Sequence, residues 1–115
     1  SDHGVSEALY LNDPDGHGIE IYRDRPRDEW PRLGGEVAMT VDPLDVAGVL
    51  QSVTNGRITW HGIADGTRMG HIHLHVRDLR EAYTFYCEVL GFDLIQEFAS
   101  QALFVSAGGY HHHIG

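Results

Sequence analysis

His71-Ile72-His73-Leu74-His75-Val76 sets three histidines in strict alternation with three apolar residues. Along an extended strand successive side chains take opposite faces. Ile72, Leu74 and Val76 are therefore expected to point into a core, and His71, His73 and His75 into one shared space. Imidazole is the commonest protein ligand for a divalent metal; the plainer alternative is a polar strand face. Asp78, just beyond, is placed to cap a helix, and Glu81 three residues on completes a capping box. Leu79, Ala82, Phe85, Tyr86, Val89 and Leu90 recur at helical spacing as one apolar stripe. Gly91 is placed to end that helix in the left-handed conformation. Cys87, inside it, reads as core filler rather than as a nucleophile. Phe92 to Phe98 and Ala102 to Ser106 then read as strands, and Ala107-Gly108-Gly109 as a turn. Tyr110 to Gly115 begins a further strand whose pattern is still in progress at the last residue. The second half is thus strand, helix, strand, strand, strand.

Upstream, Val5 to Leu11 reads as a strand, Asn12-Asp13-Pro14-Asp15-Gly16 as dense turn chemistry, and Ile19-Glu20-Ile21-Tyr22 as the returning strand of a hairpin. Ile19 and Ile21 share one face of it, Glu20 and Tyr22 the other. Residues 23–36 are polar and irregular, with Pro26, Pro31 and Gly34-Gly35. Val37 to Val41 suits a short extended piece. Asp42-Pro43 resembles a helix start, with Asp as N-cap and Pro at the first position, running to about Leu50. Residues 52–69 read as a linker containing Asn55-Gly56 and Gly66. Trp30 and Trp60 are expected to pin these stretches to the body of the protein.

The 115 residues suffice for one modest core. A formal net charge of -9, no lysine and no basic patch make nucleic acid and anionic membranes poor partners. No apolar run approaches the ~20 residues that span a bilayer, and no signal-peptide pattern is present. The single cysteine cannot form an internal disulfide, which fits a reducing, cytoplasmic compartment. Nine histidines are the compositional anomaly. His111-His112-His113 is short for a purification tag and runs on into Ile114 and Gly115 as a strand would.

Residues 70–95, Gly-His-Ile-His-Leu-His-Val-Arg-Asp-Leu through Phe-Tyr-Cys-Glu-Val-Leu-Gly-Phe, resemble the opening strand and helix of the βαβββ module of the vicinal oxygen chelate superfamily. That superfamily holds the glyoxalases, the bleomycin-resistance proteins and the type I extradiol dioxygenases. Residues 9–22, with Asp-Pro-Asp-Gly followed by Ile-Glu, resemble the closing hairpin of a module. The resemblance implies an α+β fold: residues 1–22 close one module, 23–69 connect, and 70–115 open the next. No repeat is legible by sequence identity. The chain then reads as an internal fragment of a longer, two-domain protein, a homo-oligomer in which a companion copy completes the barrel by swapping.

Gly-Gly-Tyr-His-His-His-Ile-Gly, residues 108–115, makes the extradiol branch the most similar, catechol 2,3-dioxygenase-like proteins in particular. What that resemblance implies is a ring-cleaving dioxygenase acting on a small aromatic substrate with O2 at Fe(II), other divalent metals being possible. It implies His71 and Glu20 as metal ligands that approach one another, with the second histidine ligand outside this chain. It implies His112 as the acid–base residue, Tyr10 over the substrate, and His3 as a further histidine facing it, at a spacing shorter than usual. On a regular strand His112 would face a groove that holds His71, with Ile114 as an apolar wall beside it and His111 and His113 turned away. His73 or His75 would support the ligands, the other lying on a solvated rim. The alternatives are a metal-dependent glyoxalase-type isomerase or lyase on the same scaffold, and a metal-free, non-catalytic drug-binding module of the bleomycin-resistance kind.

Overall fold

The computed structural model describes residues 1–53 and 59–115. Asn55-Gly56, read as part of a linker, lies outside the described residues. The chain is α+β and divides into two units, one of residues 1–29 with 40–68 and one of residues 30–39 with 69–115.

In the first unit β1 (Ser6–Asn12) pairs antiparallel with β2 (Gly18–Asp24), Tyr10 facing Glu20 across the ladder. Asp13 makes the turn between them. Its carboxylate accepts from the backbone N–H groups of Asp15 and His17 at 2.9 and 2.8 Å and its carbonyl from that of Gly16 at 3.0 Å. Gly16 takes φ 86°, a value that favours glycine. Leu9, Leu11, Ile19 and Ile21 fall on one face of the ribbon and stay exposed, while Val5 and Ala8 are buried. Asp42 does not start a helix. Its backbone exchanges hydrogen bonds of 2.8 Å in both directions with Asp2, which holds it extended. The cap moves three residues on: Asp45 accepts from Gly48 N–H at 2.9 Å, and α1 runs over Val46–Ser52. The ring of Trp60 stays in water at 76% exposure and pins nothing.

In the second unit Gly34 and Gly35, at φ 62° and 92°, form the tight turn of a small hairpin, β3 (Arg32–Leu33) with β4 (Glu36–Val37). The irregular stretch expected over residues 23–36 is therefore ordered at this end, where the two glycines close the turn. Asp78 caps α2 (Leu79–Tyr83) by accepting from Arg80 and Glu81 N–H. The Glu81 carboxylate takes up Arg77 instead of reaching back to close a capping box. Beyond Tyr83 the turn widens over Thr84–Val89, where Leu90 N–H bonds to the Phe85 carbonyl five residues back at 3.0 Å. The widened turn rotates the apolar stripe, and Phe85, Val89 and Leu90 are exposed. Gly91 ends the helix at φ 81°.

β5 (Asp93–Phe98) pairs antiparallel with β6 (Ala102–Ser106), with a bulge between Leu94 and Gln96. The segment expected as an opening strand is extended but joins the sheet at one bridge, Ile72 to Ile114, in parallel. Ile114 bridges antiparallel to Val105 on its other side. The order is therefore residues 71–74, residues 113–115, β6, β5, a mixed arrangement. Leu74 and Val76 turn toward Leu79, Ala82, Tyr83 and Tyr86 of the helix and line one apolar cavity with them, Leu103, Val105 and Ile114. Residues 110–113 form bends, not regular strand.

One ion pair ties the first unit together. Arg25 donates from Nη1 and Nη2 to the two carboxylate oxygens of Asp2 at 2.6 and 2.8 Å, a bidentate pair. The Arg25 guanidinium holds the Asp2 carboxyl down at about 2. A carboxyl whose folded-state pKa is depressed contributes stability above its ordinary pKa and loses it as the pH falls toward the depressed value. Arg25→Met is expected to lower the unfolding free energy by about 1–2 kcal/mol at pH 7. The difference should shrink between pH 4 and pH 2. Urea titrations of both proteins across that range check it; a difference that stays constant down to pH 2 contradicts it.

Candidate metal centre

The parallel pairing determines which histidines meet. Ile72 N–H donates to the His113 carbonyl at 3.0 Å, Gly115 N–H to the Ile72 carbonyl at 2.9 Å, and Leu74 N–H to the Gly115 carbonyl at 2.8 Å. This ladder lays His71 and His73, on the face opposite Leu74, against His112. Ring centroids stand 4.2 Å apart for His71 and His112, 5.2 Å for His71 and His73, and 5.5 Å for His73 and His112. One nitrogen from each ring lies within 4.8 Å of the others. His112 is buried, His71 half-buried and His73 exposed at the rim. Two buried ring nitrogens, His71 Nδ1 and His112 Nε2, are not used in hydrogen bonds, while both rings pack on other aromatic rings. Three imidazoles converging at this distance are a donor set suited to Zn, Cu, Fe or Ni.

The neighbours of the cluster differ from those expected. Its apolar wall is Phe104, 4.9 Å from His112 and 6.0 Å from His73 between centroids. Ile114 faces the helix-side cavity instead. His111 is not turned away: it is fully buried, stands 5.3 Å from Trp30 and 4.0 Å from Tyr110 between centroids, and its Nδ1 meets Nδ1 of His112 at 2.8 Å. Strict alternation fails here because the backbone bends through residues 110–113. His113 does leave the cluster, its Nδ1 accepting from Ala107 N–H at 3.3 Å beside Ser106 Oγ at 3.0 Å. His75 is exposed and outside the cluster. The sequence gives no sign of one further contact: a Cβ at Gly115 would meet the His73 ring at 2.7 Å, so a larger residue there would push that ring aside.

The first unit holds the other expected residues. His3, Tyr10 and Glu20 form a hydrogen-bonded chain that starts at the Thr40 carbonyl. His3 Nδ1 lies 2.9 Å from Thr40 O, His3 Nε2 lies 2.7 Å from the Tyr10 hydroxyl, and that hydroxyl donates to Glu20 Oε1 at 2.9 Å. The Tyr10–Glu20 link follows from the cross-strand register of the hairpin. A carbonyl and a carboxylate at the two ends can only accept. Burial of the hydroxyl, then the Glu20 carboxylate on its hydrogen, push the Tyr10 phenol well above its ordinary range. Burial likewise raises the Cys87 thiol, which disfavours a thiolate nucleophile there. A second cluster, Asp13, Asp15 and His17, lies exposed on the β1–β2 turn, where His17 holds the Asp13 carboxyl below its ordinary value. No described helix is long and apolar enough to cross a membrane.

Comparison with known proteins accords with these elements. Residues 68–115 match the family model of the glyoxalase/bleomycin resistance protein/dioxygenase superfamily. The chain is 56% identical over 116 aligned positions to a catechol-2,3-dioxygenase of Bacillus subtilis (strain 168), an alignment that covers 99% of this chain and 40% of that protein. The chain thus spans two fifths of the length of the curated relative it matches. No solved structure matches the chain. Residues 68–115, from the histidine strand to the final bridge, are thus similar to the glyoxalase/bleomycin resistance protein/dioxygenase superfamily, and the chain as a whole is similar to a catechol-2,3-dioxygenase.

Proposed function

We propose that the chain is part of a metal-dependent, ring-cleaving extradiol dioxygenase that acts on a catechol-like aromatic with O2 in the cytoplasm. The observation that carries this reading is the convergence of His71, His73 and His112 in the matched region. Similarity to a catechol-2,3-dioxygenase along nearly the whole chain supports the substrate class. Fe(II) is the metal we propose, with His71 as a ligand. Bound there, the metal supplies Lewis acidity toward a substrate hydroxyl and a place for O2.

The chain's own residues divide the remaining work. Phe104 keeps the His73–His112 side of the cluster apolar, which strengthens electrostatic contacts there. The Tyr10 hydroxyl is held between His3 and Glu20 at 2.7 and 2.9 Å, which fixes its direction. A phenol pushed up in this way stays protonated at neutral pH and serves as a hydrogen-bond donor.

Two outcomes are expected of the complete protein. Loaded with Fe(II) and given catechol, it should consume one O2 per ring cleaved, and His71→Ala should lose both iron and activity. An oxygen electrode and metal analysis check this; turnover of a dicarbonyl adduct without O2 uptake would support the isomerase instead. Tyr10→Phe should leave iron content unchanged and slow turnover by ~10-fold or more, as loss of a proton-carrying group does. Unaltered turnover in that variant contradicts the role given to Tyr10.

A further inference from the structure

We propose that Asp2 and Arg25 are positioning residues for His3: their ion pair holds the turn that aims the His3 ring at the Tyr10 hydroxyl. The proposal deepens the reading above and rests on it for the part that Tyr10 plays in turnover. It adds two residues outside the metal centre to those on which that part depends.

Packing alone does not orient His3. The residue is half-buried, and its ring meets that of Tyr10 edge-on with centroids 6.2 Å apart. Hydrogen bonds set its direction instead. Nδ1 lies 2.9 Å from the Thr40 carbonyl, which can only accept, so the proton of that bond sits on Nδ1. Nε2 is thereby turned to the Tyr10 hydroxyl at 2.7 Å. The aim holds only while Thr40 and the His3 backbone keep their places. A short pairing joins them: Thr40 N–H donates to the His3 carbonyl at 3.0 Å, and Asp2 and Asp42 exchange backbone bonds of 2.8 Å. A pairing this short is marginal by itself.

The Asp2 carboxylate fastens it. Oδ1 accepts from Gly4 N–H at 2.8 Å, so the residues on either side of His3 are drawn together around it. Gly4 closes that turn at φ 73°, a value that favours glycine. The same carboxylate receives both Nη1 and Nη2 of Arg25. Arg25 is in turn held to the hairpin. It follows directly on β2, its N–H donates to the Val5 carbonyl at 2.8 Å, and its Nη2 stands 3.5 Å from Glu7 of β1. The Arg25 and Asp2 side chains are 24% and 26% exposed, against 77% for Arg23 in its pair with Glu7. The drier pair is the less screened, and its planar fork fixes angle as well as distance. One carboxylate thus ties the His3 turn to the ribbon that carries Tyr10 and Glu20.

The test combines turnover with the tautomer of His3 in the complete protein. Loaded with Fe(II) and given catechol, Arg25→Met should lower kcat by about 10-fold with KM and iron content unchanged. In a His3→Ala background the same substitution should cost nothing further, whereas a general loss of stability would act in both backgrounds. Loaded with Zn(II) for nitrogen-15 resonance spectra, the unaltered protein should carry its His3 proton on Nδ1, and Arg25→Met should show shifts averaged between the tautomers. Asp2→Asn keeps an acceptor for Gly4 N–H and should act in the same direction by a smaller factor, so it takes the place of Arg25→Met if that variant does not fold. Arg23→Met, on the exposed pair, should move neither readout. Unaltered turnover in the Arg25 or Asp2 variant, a His3 proton that stays on Nδ1 there, or effects of Arg25→Met and His3→Ala that multiply would overturn the proposal and leave the dioxygenase reading standing. A complete protein without O2 uptake would remove that reading, and the tautomer then decides alone: averaging in the variant upholds the positioning role, and a proton kept on Nδ1 overturns it.

Discussion

The bridge between Ile72 and Ile114 is the contact on which the second unit depends. It is parallel, so it joins residues some forty positions apart that no short turn could bring together. On one side it sets Leu74, Val76 and Ile114 against the helix and completes an apolar cavity with Leu103 and Val105. On the other it sets His112 against His71 and His73. Packing and chemistry are thus two faces of one pairing. Losing the bridge would take away the helix-side cavity and the histidine cluster together.

The hairpin of the first unit works by a different device. Its register is set by the Asp13 turn, and the register alone puts Tyr10 opposite Glu20. Arg25 then fastens its far end to Asp2, whose backbone holds Asp42. The result is a ribbon with a polar face on which Tyr10 donates to Glu20 and an apolar face of Leu9, Leu11, Ile19 and Ile21 left open. The described residues bury few large side chains, so charge pairing and turn geometry take more of the stabilising role than they do in a deep core.

Local chemistry was legible in the sequence and non-local geometry was not. The Asp13 turn, the Asp78 cap and the Gly91 stop each rest on a few neighbouring residues, and all three stand as read. The start of α1 was misplaced because two aspartates compete as caps, and only the contact of Asp42 with Asp2 decides between them. The widened turn after Tyr83 leaves no mark in the apolar spacing. At the histidine cluster, alternation correctly put His71 and His73 on one face. It failed at residues 110–113, where bends free His111 and His112 to lie side by side. The role of Gly115 against His73 belongs to the same class: it exists only once the pairing is made.

The account's central claim is that this pairing sets His71 in place as a metal ligand. A crystal of the complete protein grown with Co(II) and measured at the cobalt absorption edge tests it most directly. The account places one strong anomalous peak at about 2.1 Å from a nitrogen of His71. A peak at the Asp13–Asp15 turn, with the His71 ring apart from any ion, would contradict it.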